Sequence, residues 1–375
     1  MINRPYTVVL IVPTGIGAAI GGYAGDALPV ARAMSQVCDC LITHPNVLNG
    51  AQLYWNLPNT LYVEGYGLDR FAQGHWGLQS VHQNRVGLIL DQGIEPELRL
   101  RHLQAADAAR ATLGLDLTDY ILTDAPLDLE LRIASSGTSW GTIGNPDSLL
   151  RAAETLIKQA KAQAIAIVAR FPDDIDSLTL NNYRQGQGVD PLAGAEAVIS
   201  HLIVRQFGIP AAHAPALMPL PLDATISPRS AAEELGYTFL PCVLVGLSRA
   251  PQFVRRESEA ENVNFCSEEK LPNIREDLRL FSAGIWGNQV DAVVIPDTAC
   301  GGSAILSFSQ KNTRIITVRD NKTQLKVTPE SLGIQAIKVN SYLEALGVLV
   351  AHRAGISANA LCPTLSSLNC LSKNL

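Results

Sequence analysis

A chain of 375 residues exceeds what one hydrophobic core usually organises, so two lobes are expected. Hydrophobic residues make up 47% and charged residues 17%, a balance typical of parallel sheets buried on both faces. The formal net charge is −6 with basic residues scattered, which argues against a nucleic-acid partner, and no run approaches the roughly 20 apolar residues of a membrane helix.

Thr7 to Pro13, TVVLIVP, reads as a buried strand that stops at the glycine-rich turn TGIGAAIGGYAGD. Ala27 to Val37 follows as a helix and Asp39 to Thr43 as a second strand, ending at His44-Pro45-Asn46. Val86 to Leu90 is the next strand, and the helix after it starts near Pro96 and ends at Gly114, a residue suited to a left-handed cap. Tyr120 to Thr123 and Leu129 to Ala134 read as strands, the latter running into a second glycine-rich turn from Ser135 to Gly144. Asn145 is placed to cap a helix in which Leu149, Leu150, Ala153, Leu156, Ile157 and Ala160 form one apolar stripe and Glu154 precedes Lys158 by four residues. Ala164 to Ala169 returns as a strand.

The polar stretch from Pro172 to Gly188 is read as the lobe boundary, giving an N-terminal α/β lobe over residues 1–180, a C-terminal lobe over 181–356 and a loose tail over 357–375. In the second half the alternation predicts a helix from Pro191 to Phe207, a proline-rich loop from Pro210 to Pro221 and a short helix capped by Ser227 and ending at Gly236. It then predicts a strand from Phe239 to Val245, a charged surface segment from Glu257 to Asp277 and a strand from Ala292 to Ile295. A third glycine turn follows at Cys300-Gly301-Gly302-Ser303, then a strand from Arg314 to Val318. Ser341 with Glu344 predicts a capping box for a helix from Tyr342 to Arg353. The expected fold class is therefore α/β, two Rossmann-like lobes with mostly parallel sheets flanked by helices.

Ligands of such sheets lie beyond the carboxyl ends of the strands, so the three glycine turns are the candidate binding loops. In the first, Thr14, Gly15, Gly17, Gly21 and Gly22 let backbone approach an anion, or else allow tight strand–helix packing, and Asp26 is a base or a helix-start carboxylate. In the second, Ser135, Ser136, Gly137 and Thr138 offer small donors for a phosphate or carboxylate, or form an ordinary exposed loop. In the third, Gly301, Gly302 and Ser303 precede a helix, and Cys300 is a nucleophile activated by the helix dipole or a small buried residue. Asp297 stands just before it, and Asn321 and Lys322 follow the next strand, with Lys322 as counter-charge for an anionic ligand. Replacing Gly22 or Gly302 by valine is expected to abolish a ligand response while leaving the fold cooperative.

His44 sits at a strand end beside Asn46. His201 lies off the Val198, Ile199, Leu202, Ile203 stripe and can face a cleft, and His213 sits in AAHAP; each is a proton carrier or a hydrogen-bonded structural histidine. His213 is also placed as a metal ligand could be, but without HExxH or HxH spacing no metal site is assigned. Arg229 and Glu233, one turn apart, are expected to pair with each other. The seven cysteines, with only Cys38 and Cys40 close together, fit neither a disulfide scaffold nor CxxC zinc pairs, and Met1 to Leu10 lacks the blocks of a signal peptide. Reduced thiols in a cytoplasmic protein are expected.

The segments PTGIGAAIGGYAGDA, LITHPNVLNGA, GVDPLAGAEAVISHLI, AAHAPAL, SPRSAAEELGYTFLPCVLVGLSRAP and PDTACGGSAI together resemble an uncharacterised domain-of-unknown-function family of cyanobacteria and plastid-bearing lineages. The resemblance covers nearly the whole chain except the tail and implies a photosynthetic source; it carries over no activity and no catalytic residue. In element order alone the chain is similar to the nucleotide-binding half of two-lobed glycosyltransferases and to cysteine-dependent racemases, which transfers no function. The expectation is an enzyme, of transferase class, holding a small phosphorylated or carboxylated metabolite between the lobes. The alternatives are a non-catalytic metabolite sensor and a cysteine-dependent isomerase or hydrolase using Cys300. No cofactor is specified, nucleic acid and membrane are not expected partners, and a homo-oligomer is compatible with the sequence.

Overall fold

The computed structural model describes residues 4–173, 177–255 and 284–368. The chain runs β1 (Thr7–Leu10), α1 (Leu28–Ser35), β2 (Cys40–Thr43), α2 (Pro45–Leu48), α3 (Ala51–Tyr54), β3 (Thr60–Tyr62), α4 (Gly65–Gln73) and β4 (Trp76–Gln79). It continues through β5 (Val86–Leu90), α5 (Pro96–Leu113), β6 (Leu117–Leu122), the strand pair β7 (Leu129–Ile133) and β8 (Ser139–Ile143), α6 (Pro146–Ala160) and β9 (Ala164–Arg170). Then come α7 (Ser177–Arg184), α8 (Ala193–Phe207), β10 (Ala211–Ala216), α9 (Ala231–Glu234), α10 (Leu240–Ser248) and β11 (Gln252–Arg255). The last described elements are β12 (Ala292–Pro296), α11 (Ser303–Ser309), β13 (Arg314–Val318), β14 (Ile337–Val339) and α12 (Tyr342–Arg353).

Two parallel sheets organise these elements. One has six strands in the order β14-β13-β12-β1-β2-β3 and the other four in the order β10-β9-β5-β6. The α/β class with parallel sheets flanked by helices is what the sequence predicts. β1, β2, β12 and most of β9 are buried along their whole length, because helices cover both faces and strands without a solvent side carry continuous apolar runs such as VVL and AIAIVA.

The sheets do not follow the division near residue 180. β1 pairs with β12 through Val9 and Val293, so strands from the two ends of the chain share one sheet, while β5, β6, β9 and β10 from its middle form the other. Hydrophobic alternation along the chain cannot reveal this, since it says where strands are and nothing about which neighbours they choose.

Four other expectations change. Phe239–Val245 is not a strand: Leu240–Ser248 is a helix, opened by Pro241 in its first turn and buried on every side, so its uninterrupted apolar run carries no period that separates it from a central strand. The stretch from Ser135 to Gly144 is not all turn: it leads into α6 as expected, but Ser139–Ile143 within it is β8, and Ser135–Thr138 closes the antiparallel hairpin β7–β8, with Gly137 at φ +85° and its amide donating to Ala134 O. Asn145 does not cap α6; its amide donates to Pro126 O and Asp128 Oδ2 instead. The proline-rich loop from Pro210 contains β10, which pairs with β9 over six residues. The segment Glu257 to Asp277 lies outside the described residues.

Candidate functional site

The carboxyl ends of strands from both sheets face one cavity of about 970 Å³. From the six-stranded sheet it is lined by Ile11, Pro13 and Thr14 after β1, His44 and Asn46 after β2, Glu64 after β3, and Ile295, Gly302 and Ser303 around the end of β12. From the other sheet come Pro172 and Asp173 after β9 and the stretch from His213 to Leu220 in and after β10. Helices α5 and α8 supply further walls through Leu98, Arg101, His102, Glu196, Ser200 and His201. The position is the one physical argument assigns to parallel sheets, where loops at strand carboxyl ends converge.

Three expected histidines therefore meet in one place. His44 is buried and its Nε2 accepts the Val12 amide at 3.0 Å; burial lowers its pKa to about 4, so it is a neutral acceptor that holds the start of the first glycine turn. His201 pairs through Nδ1 with Glu64, which also caps α4 by accepting from the amides of Tyr66 at 2.8 Å and Gly67 at 3.2 Å. His213 lies 3.7 Å from Glu196 Oε2, with its Nδ1 3.2 Å from Ser200 Oγ.

The cavity wall is acidic. Seven carboxylates line it: Glu64, Asp69, Asp173, Asp190, Glu196, Glu233 and Glu234. Arg101 and Arg184 are its arginines, and each is ion-paired, with Glu97 at 2.8 Å and Glu234 at 2.7 Å. Glu233 accepts from the Ala24 amide at 2.7 Å and from the Tyr183 hydroxyl, so it is not the partner of Arg229. Burial, reinforced by the nearby charges of Glu196 and Asp26, pushes Glu233 up to about 7. Burial and then the Glu233 and Glu196 charges push Asp190 well above the ordinary carboxylate range. Both residues hold protons where isolated carboxylates would not.

The first glycine turn stands between this cavity and a second, smaller one. Its glycines are required by packing: a Cβ on Gly21, at φ +90°, would lie 2.4 Å from Val12 Cγ1, and one on Gly15 would lie 2.6 Å from Ser139 Oγ. Asp26 accepts from the Gly21 amide at 2.6 Å and pairs with Arg229 at 3.3 Å, bracing the turn away from the cavity lining; burial raises its pKa to about 6. Asn321 bridges Ile20 N, Ile20 O and the Tyr342 hydroxyl, which makes it a buried clamp on the same turn. Lys322, with Gly17 and Gly22, lines the smaller pocket of about 240 Å³ on the other side.

Several expected site residues are not brought to the cavity. Ser135, Ser136, Gly137 and Thr138 form the tip of the β7–β8 hairpin and line neither cavity, their hydroxyls satisfying each other where Ser136 Oγ lies 2.9 Å from Thr138 Oγ1. Asp297 is bonded to Thr317 Oγ1 at 2.7 Å and lies 3.5 Å from Lys338 Nζ. Cys300 is fully buried, its thiol directed to Asp297 O at 3.6 Å, and burial pushes its pKa up to about 12. The cavity is lined by its neighbours Ala299 and Gly302, and the local environment opposes the thiolate that nucleophilic chemistry requires.

The chain from residue 7 to residue 362 matches the family model described as protein of unknown function DUF3326. The chain belongs to this family. An uncharacterized lipoprotein of Synechococcus sp. (strain PCC 6301) is 58% identical over 372 residues, covering 98% of each chain.

For this DUF3326 protein the sequence reading missed Glu64, Asp69, Asp190 and Glu196. Glu64 follows the three-residue strand β3, too short to stand out by alternation, although LYV before an acid is a strand-end signal. Asp190 and Glu196 flank a helix start, where carboxylates are ordinary dipole partners, and only the approach of Glu233 from α9 makes them unusual.

Proposed function

We propose that this DUF3326 protein is an enzyme that binds a small metabolite in the cavity between its sheets and moves protons on it. The observation that carries the reading is the gathering of Asp190, Glu196 and Glu233 on one wall, with Glu233 titrating near neutrality at about 7. A carboxyl group poised there can both give and take a proton, and perturbed pairs of this kind cluster at functional sites. His213 beside Glu196 is the second proton carrier, and Tyr183 orients Glu233 through its hydroxyl. Acidic walls and ion-paired arginines suit hydroxyl or amine groups of the ligand better than the phosphate or carboxylate expected from the sequence. A volume of about 970 Å³ holds two small reactants, which favours group transfer.

The test is a thermal-shift screen of uncharged and amine-bearing metabolites, followed by turnover assays on the compounds that stabilise the protein. Asp190→Asn and Glu233→Gln should lose turnover while unfolding cooperatively. A stabilising compound that is never turned over would favour the sensor reading, and a screen whose hits respond equally in wild type and in Gly302→Val would remove the cavity from the account. A cytoplasmic site of action belongs to this reading, on the strength of the unpaired thiols of Cys38, Cys40, Cys242, Cys300 and Cys362. The relative's name, a lipoprotein, favours membrane attachment instead, and fractionation of cells carrying the native gene separates the two.

A further inference from the structure

The pocket of about 240 Å³ on the far side of the first glycine turn has a character opposite to that of the main cavity. Its charged lining residues are Arg229 and Lys322, with no carboxylate among the lining residues, and Thr323 and Gln324 add a hydroxyl and an amide. Lys322 is exposed and has no ion-pair partner among the described residues. Arg229 shares only Nη1 with Asp26, so the rest of its guanidinium is available. Gly17 and Ala18 are among the lining residues, and their amides have no acceptor among the described residues. Close packing of backbone on backbone keeps this wall bare: a Cβ on Gly17, at φ +61°, would lie 2.9 Å from Gly188 O, and Gly186 and Gly188, both at φ +85°, form the facing edge.

We propose that this pocket binds a phosphoryl oxyanion, held by Lys322, Arg229 and the bare backbone of the glycine turn, separately from the ligand of the main cavity. Lys322 supplies an unshared positive charge and Arg229, whose Nη1 is shared with Asp26, supplies further guanidinium donors, a pairing of charge and backbone amides that suits the roughly −1.5 to −2 charge of a phosphate monoester at neutral pH. The site touches the main cavity through the turn itself, since Ala24 N in the same turn donates to Glu233. It does not depend on the proposed chemistry there.

The experiment is isothermal titration of inorganic phosphate and of glycerol phosphate into the full chain, at constant ionic strength with chloride as control. Lys322→Gln, on an exposed side chain, should weaken binding by roughly tenfold or more, as expected for loss of one charge-assisted contact, while Lys322→Arg retains it. Asp190→Asn, in the main cavity, should leave phosphate binding unchanged. Tighter binding of glycerol phosphate than of phosphate identifies the natural anion as a phosphorylated metabolite, and the reverse order identifies it as the free ion. No phosphate binding above the chloride control, or binding that Asp190→Asn abolishes and Lys322→Gln does not, overturns the proposal; the latter would return the anion to the main cavity.

Discussion

Glu64 and His201 join the two sheets across the cavity. One oxygen of Glu64 caps α4, next to the six-stranded sheet, and the other meets His201 on α8, which packs on the four-stranded sheet. Burial alone would lower the His201 pKa, but the Glu64 hydrogen bond and charge outweigh it and the net direction is upward from 6.5. A histidine whose folded pKa is raised stabilises fully below its unfolded value and loses that contribution as pH rises through the folded one. Wild type should therefore exceed Glu64→Gln in stability by more at pH 5.5 than at pH 8.5 in urea melts. Glu64→Ala, which also loses the cap, should cost about 1 kcal/mol more. A difference that grows with pH would contradict the pairing.

Glu233 has the opposite linkage. Its folded pKa, near 7, lies above the ordinary 4.5, so the folded state holds a proton the unfolded state has released, and stability falls as pH rises from 4.5 through 7. Glu233→Gln keeps the acceptor for Ala24 N without the charge, and should melt higher than wild type at pH 8 but not at pH 4.5. Equal shifts at both pH values would mean that Glu233 is ionised throughout.

Gly22 and Gly302 should behave differently on substitution by valine. A Cβ on Gly22 would lie 2.3 Å from Ala18 O, so Gly22→Val should destabilise by roughly 2 kcal/mol or more and is unsuitable as a test of ligand contact. Gly302 is at φ −73° with nothing within 4 Å of its absent Cβ, so Gly302→Val should unfold like wild type while narrowing the main cavity. Calorimetry of the two variants checks both; a destabilised Gly302→Val would show that a side chain at this edge meets packed neighbours and would contradict the open space at Gly302.

Cys300 should be inert. With its thiol buried and its pKa near 12, alkylation by iodoacetamide at pH 7.5 in the native protein should be slower than at exposed Cys362 by about 100-fold or more. Mass-spectrometric mapping of labelled peptides over time reads the ratio. Rapid labelling of Cys300 would revive the cysteine-dependent reading.

What this chain's sequence determines by itself is local. Arg314–Val318 and Tyr342–Arg353 form the predicted strand and helix, because apolar runs, caps and glycine stops act over a few residues: Gly114 closes α5 at φ +67°, and Ser341 Oγ accepts the Glu344 amide. The same locality makes the glycine turns legible as strand-end features, and it brings His44 and His201 into view as cleft residues. Tertiary structure alone decides the rest. Pairing β1 with β12 requires a contact 284 residues long in sequence, as between Val8 and Ala292, which no periodicity encodes. A carboxyl group is pushed toward neutrality only when burial and other carboxylates surround it, as burial and the charges of Glu196 and Asp26 do at Glu233. A cysteine at a helix start becomes inert only when the core closes over it, as it does over Cys300. Desolvation and charge proximity are properties of the packed molecule, and the linear order of residues does not contain them.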